Sequence, residues 1–150
     1  MRHNQKICIV PTPHGVGGMV SFYERFKKEL SRKNIEIASS IKDTPYQAIL
    51  VIGGSRDLRA LMEAKRKGVR IVQRLDGMNW IHRKKWIGLK HFIKAEYGNI
   101  LLSYIRRKIA SAVVYQSEFA RQWWEHIYGK IDIFQQVIYN GIDLLSLIHI

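Results

Sequence analysis

The chain has 150 residues, of which 47% are apolar and 11% aromatic. A chain of that length and composition makes one domain with a core of its own, which excludes intrinsic disorder. Net charge is +13, from 25 Lys+Arg against 12 Asp+Glu, and the single cysteine, Cys8, excludes a disulfide framework and any cysteine-based zinc site.

The polar start, Met1 to Lys6, carries no signal-peptide pattern. Ile7-Cys8-Ile9-Val10 then reads as a short buried strand. Pro11 to Gly18 is a loop, marked by two prolines and three glycines. Met19, Phe22, Phe26 and Leu30 recur at helical spacing, and Glu24 and Lys28 form a favourable pair on the same helix. Ile35 to Ala38 is a second strand. Ala48 to Ile52 is a third, apolar enough to have both faces covered but far too short to cross a bilayer.

Gly53-Gly54-Ser55 leads into a helix with Leu58, Leu61, Met62 and Lys65 on one side, with Ser55 as its expected N-cap and Gly68 as its C-cap. Val69 to Gln73 is a fourth strand, and Arg74 to Trp80 a loop. Trp86 to Ala110 reads as helix with a break at Gly98-Asn99. Ala112 to Tyr115 is a fifth strand. Ser117 caps a helix that runs to Tyr128 and ends at Gly129. Phe134 to Ile138 is the last strand, before a turn at Asn140-Gly141. Strands alternating with helices predict an α/β domain of the Rossmann-like kind: three layers, a mostly parallel sheet and right-handed crossovers. Ile9, Val10, Leu50, Val51, Ile71, Val72, Val113 and Val114 are its expected core-strand residues.

Charge is concentrated. Arg56 to Lys108 holds 15 basic and 4 acidic residues, nearly all of the excess. Such a surface attracts anions: nucleic acid, anionic lipid or a phosphorylated small molecule. Trp80 to Ile87 alternates bulky aromatics with cations, so it can rest on an anionic membrane leaflet. Alternatively its tryptophans fill the core and its cations meet a phosphate of a bound substrate.

Ligands of such sheets gather at the carboxyl ends of the strands. Three loops there carry unusual chemistry: Pro13–Gly18, Gly53–Arg56 and Arg74–Trp80. Gly15-Val16-Gly17-Gly18 opens a helix, whose bare N–H groups suit phosphate. Val20 breaks the dinucleotide fingerprint, and no P-loop lysine follows. The other reading is a turn that merely needs glycine. Arg74, Asp76, Asn79 and Trp80 combine a cation, a carboxylate, an amide and an aromatic, a mixture that grips sugars. The other reading is an Arg–Asp pair that shapes the loop. His14 is the histidine expected to face the cleft. His82 and His91 are nine apart and lack acidic or cysteine neighbours, so no metal site is expected. Ser117 is a helix cap, not a nucleophile, and at least one of Trp123 and Trp124 belongs to the core.

Pro13-His14-Gly15-Val16-Gly17-Gly18 with its amphipathic helix resembles the glycine loop of family 4 glycosyltransferases, which have the GT-B fold. Val72 to Gly77 is similar to that family's fourth strand and functional loop. Val114 to Phe119 resembles its V-x-x-S-x-F turn, and Val137 to Asp143 the V-I-x-N-G-V-D that closes its first domain. The four stretches occur in order and span residues 7–143. The resemblance implies the acceptor-side half of a retaining enzyme with no bound metal or other cofactor. That enzyme moves a sugar from a nucleotide-sugar donor to a glycan or lipid-linked acceptor, in the cytoplasm or at the inner face of its membrane. It implies that Gly17 and Gly18 approach the donor diphosphate. It also implies that Asp76 stands where many members place a histidine, or His-Asp, and so takes the catalytic role.

The donor-binding half with its paired glutamates is missing from these residues. Residues 144–150 do not continue the pattern. Leu145 to Ile150 equals one reading frame of a transposase-type adapter (CTG TCT CTT ATA CAC ATC), so a truncated or non-native tail is expected. The competing function is a basic nucleic-acid- or phosphate-binding module, although no RRM, KH, zinc or helix-turn-helix pattern is present.

Overall fold

The structure, a computed structural model, describes residues 5–85 and 88–141. Six strands form one sheet in which every neighbouring pair is parallel. They are β1 (Lys6–Val10), β2 (Glu36–Ala38), β3 (Ala48–Ile52), β4 (Arg70–Leu75), β5 (Ala112–Tyr115) and β6 (Phe134–Val137), in the spatial order β2-β1-β3-β4-β5-β6. Between them run α1 (Gly18–Arg32), α2 (Leu58–Arg66), α3 (Ile81–Lys84), α4 (Leu89–Tyr104) and α5 (Glu118–Tyr128). A π-helical turn, Ile105–Ile109, extends α4. The chain steps outward from β1 to β2, then returns past β1 and builds the sheet the other way. The reversal lies between β1 and β3, where the carboxyl ends of an α/β sheet open a crevice.

Alternation along the strands sorts the core into two faces. On one face Cys8, Val10, Ile49, Val51 and Ile71 pack against Leu61 and Ala64 of α2 and Ile105 and Ile109 of the π-helical turn. The same face continues through Leu75, Val113 and Tyr115 onto Trp124 of α5. On the other face Ile9 and Ile52 pack on Tyr23 and Leu30 of α1, with Phe22 and Phe26 beside them. The α/β three-layer architecture therefore matches the reading of the sequence. The second face, however, is served by α1. Expected core residues Leu50, Val72 and Val114 point that way and are only half-buried. β3 is accordingly less covered than its apolar sequence implied.

Three local expectations are corrected. The N-cap of α2 is Asp57, whose Oδ1 accepts from Ala60 N at 3.2 Å, while Ser55 Oγ accepts from Asp57 N at 3.2 Å and shapes the approach. Helix α4 passes through Gly98-Asn99 without a break. Asn99 is buried because its amide turns inward and spans the Asn79 peptide, accepting from Asn79 N at 3.1 Å and donating to Asn79 O at 2.7 Å. Arg74 and Leu75 belong to β4 rather than to a loop, since their backbones pair with Val114 and Tyr115. Gly68 ends α2 with φ of +84°, and Ser117 Oγ caps α5 by accepting from Ala120 N at 3.1 Å. The expected tail, 144–150, lies outside the described residues, as do Trp86 and Ile87 of the aromatic and basic stretch.

Candidate functional site

The loop after β1 reaches α1 through Gly15 and Gly17, whose φ values of +90° and +149° favour glycine. Gly17 is the N-cap and offers no side-chain acceptor, so the first turn of α1 is uncapped by any side chain. An uncapped helix start attracts an anion through its N–H groups and dipole. His14 is exposed in this loop, beside the fully exposed Val16.

Arg74 is the centre of the site. It leaves the apolar face of β4 buried to 2% exposure, an unusual position for a guanidinium. Three groups compensate it. Its guanidinium carbon lies 3.9 Å from the centroid of the Phe22 ring on α1. Nη1 donates to Asp76 Oδ1. Nη2 donates to Asn140 Oδ1 at 2.7 Å. Asn140 in turn donates to Gln116 Oε1 at 3.4 Å, and Arg25 of α1 donates to the Gly141 carbonyl. The Asp76 carbonyl is fixed from behind by the Trp124 indole N–H at 2.9 Å. Burial pushes the Asp76 carboxyl above its ordinary pKa, against the opposing pull of Arg74. Burial likewise lowers Arg74, against the pull of Asp76. Both directions agree that desolvation outweighs the attraction within the pair.

Alongside this cluster runs a groove of about 950 Å³ between α1 and the half-covered sheet face. Leu50, Val72 and Val114 line its floor, Gly18 and Arg74 its carboxyl end, and Arg25, Lys28 and Arg32 its α1 edge. Of the expected site residues, the structure thus brings Gly18 and Arg74 to one groove and ties Asp76 to Arg74. Gly17 is the cap directly before Gly18. Asn79 and Trp80 stand apart, at the entry to α3. Asn79 is held by its backbone to Asn99, and the exposed Trp80 ring has Lys84 Nζ 5.5 Å from its centroid.

His82 corrects the sequence reading. It has an acidic neighbour, reached through folding: its Nε2 is 2.6 Å from Glu96 Oε1 on α4, and its ring meets Phe92 edge-on. Arg83 donates to both Glu96 oxygens at 2.6 and 2.9 Å. These contacts pin α3 to α4. Hydrogen bonds from Arg83, then His82, hold the Glu96 carboxyl down at about 2 against a usual 4.5. A depressed carboxylate contributes stability that is complete above its unfolded value and lost as pH falls through its folded value. Glu96→Gln is therefore expected to cost about 1–2 kcal/mol near neutral pH. In urea unfolding followed down the pH scale, the gap to wild type should close toward pH 2. A gap that persists there would contradict the assignment.

Among the described residues no cluster of three His, Cys, Asp or Glu is placed to hold a metal ion, and no helix is long and apolar enough to cross a membrane. No protein-family model matches the chain, and neither curated proteins nor solved structures give a match. Sequence reasoning took Phe22 for a helix-core residue and Asn140 for a turn residue in a family-like stretch, and gave Gln116 and Arg25 no role of their own at the site. Asn140 carried a hint, since a side chain that accepts and donates at once suits a junction between loops.

Proposed function

We propose that this chain is the acceptor-side half of a retaining glycosyltransferase that moves a sugar from a nucleotide-sugar to a glycan or lipid-linked acceptor. One observation carries the reading. The four stretches that resemble family 4 enzymes converge at the carboxyl end of the sheet: the start of α1, Arg74 with Asp76, Gln116, and Asn140-Gly141. Sequence order alone does not require them to touch.

In the proposed reaction the bond from the anomeric carbon to the diphosphate breaks. A bond to the acceptor oxygen forms on the same face, and the acceptor hydroxyl passes its proton to the Asp76 carboxylate. The uncapped N–H groups at Gly18 and after it suit the negative charge that gathers on the departing diphosphate. Asp76 orients the acceptor hydroxyl and favours loss of its proton. Burial raises the pKa of its carboxyl, which makes it the stronger base. Arg74 holds the carboxylate in place through Oδ1. A donor-binding half supplies the grip on the nucleotide and completes the cleft, so residues 1–150 alone are expected to give no transfer.

The test is Asp76→Asn in a two-domain enzyme that carries these residues. The substitution nearly preserves shape, so the variant should fold while turnover falls roughly 10²-fold, the scale of acid–base assistance. Unchanged turnover would reduce Asp76 to a partner for Arg74.

A further inference from the structure

We propose that the outer face of α4 docks the protein on an anionic lipid bilayer. The inference stands on α4 and its surroundings and does not depend on the transferase reading.

Helix α4 is apolar on two faces. Its inner face presents Phe92, Asn99, Leu102 and Ser103 to the fold. A second set, Leu89, Ile93, Tyr97, Ile100 and Tyr104, is 40–62% exposed. At 3.6 residues per turn these five fall within roughly 80° of arc, along about 22 Å of helix. They form a continuous stripe, not scattered surface residues. Single exposed apolar side chains are ordinary, but a contiguous patch marks a surface that meets something apolar.

Charge identifies what it meets. Between Gly77 and Ser117 the sequence holds eight Lys and Arg and one acid, Glu96. That acid already serves His82 and Arg83. Lys90 and Lys94 lie on the next arc outward from the stripe, both exposed, and Lys84 and Lys85 are exposed at the end of α3. Trp80 and Ile81, also exposed, add apolar surface just before them. A protein partner or a second copy of this basic chain would have to supply many acids to such a surface. An anionic leaflet supplies them without shape demands: its headgroups face the lysines, and the stripe enters the acyl boundary. No described helix can span the bilayer, so α4 lies along its surface. The proposal shifts the contact away from the stretch Trp80 to Ile87, where the sequence centred it. The apolar contact surface is mainly the helix that follows.

The experiment is co-sedimentation of the full chain with phosphatidylcholine vesicles, with and without phosphatidylglycerol. Binding is expected only with the anionic lipid, and added salt should weaken it. Lys90→Gln/Lys94→Gln should lower the partition constant roughly 30-fold, the equivalent of about 1 kcal/mol for each cation. Ile93→Ser/Ile100→Ser should lower it by a similar factor with net charge unchanged, because affinity scales with the apolar area inserted. Circular dichroism checks the fold of each variant. Tyr97→Ser, a single exposed change, is expected to move binding the same way should the double variant not fold. Absence of anionic-vesicle binding overturns the proposal. So does equal binding by the serine variants, which would leave only general attraction to net charge. A dimer that the serine variants dissolve, without lipid binding, would assign the stripe to self-association and overturn it as well.

Discussion

Trp124→Ala is expected to lower the free energy of unfolding by about 3–5 kcal/mol, the range for truncating a large buried aromatic. Trp124 is wholly buried on α5, among Leu75, Met78, Ala110, Val113 and Tyr115, with Tyr128 stacked at 5.5 Å. Alanine leaves a cavity there and also orphans the Asp76 carbonyl that the indole N–H satisfies at 2.9 Å. Trp124→Phe separates the two losses. It keeps most of the packing and removes the donor, so it should cost about 1–3 kcal/mol. Urea midpoints at constant slope measure both. A loss below about 1 kcal/mol for the alanine variant would contradict the packing described for α5. The alanine variant should also loosen the Asp76 segment, because the indole is its support from the core side.

The strands were legible because the inner strands of a parallel sheet read as short apolar runs, and Ile7 to Val10, Ala48 to Ile52 and Ala112 to Tyr115 stand out from polar flanks. The end of β4 was not, since a charged Arg74 after the apolar run looks like the start of a loop until its partners are known, although Gln73 before it was read in the strand. Gln73 is buried because its amide donates to the carbonyls of Gly53 at 2.8 Å and Leu102 at 3.2 Å. Helix α4 was misread for a related reason. Its Gly98-Asn99 pair resembles a breaker, yet Asn99 spends its amide on a peptide twenty residues away instead of on its own helix. Within the site, local chemistry could be read: the glycine turn, and an Arg and Asp two apart. The long links could not. Arg74 meets Asn140 across 66 positions, and His82 meets Glu96 across 14, separations that only the sheet order and the packing of α3 on α4 close.

Arg74→Met is expected to be as costly as any change at the site, about 3–5 kcal/mol near neutral pH, because it breaks a buried pair and keeps one charge. The methionine can still lie against Phe22, so packing is largely retained and the loss is electrostatic. Asp76 is left desolvated without its cation, and Asn140 loses the donor that fixes its side-chain oxygen. The pH dependence gives the distinguishing sign. Burial already raises the Asp76 carboxyl above its unfolded value, and Arg74 opposes that rise. Without Arg74 the folded pKa climbs further. A carboxyl whose folded pKa is raised destabilises the fold above that pKa, where it must be charged, and the penalty fades as pH falls toward the unfolded value. The gap between wild type and Arg74→Met should therefore narrow in mildly acidic buffer. Glu96→Gln keeps its full gap until pH falls below the ordinary carboxylate value of about 4.5, and loses it progressively on the way to about 2. The double variant Arg74→Met/Asp76→Asn removes the stranded charge and should recover most of the lost stability at neutral pH, while leaving no carboxylate at the site. If the single variant shows a pH-independent loss and the second substitution recovers nothing, Arg74 acts through packing and its bond to Asn140, and the buried pair is not what holds the end of β4 to α1.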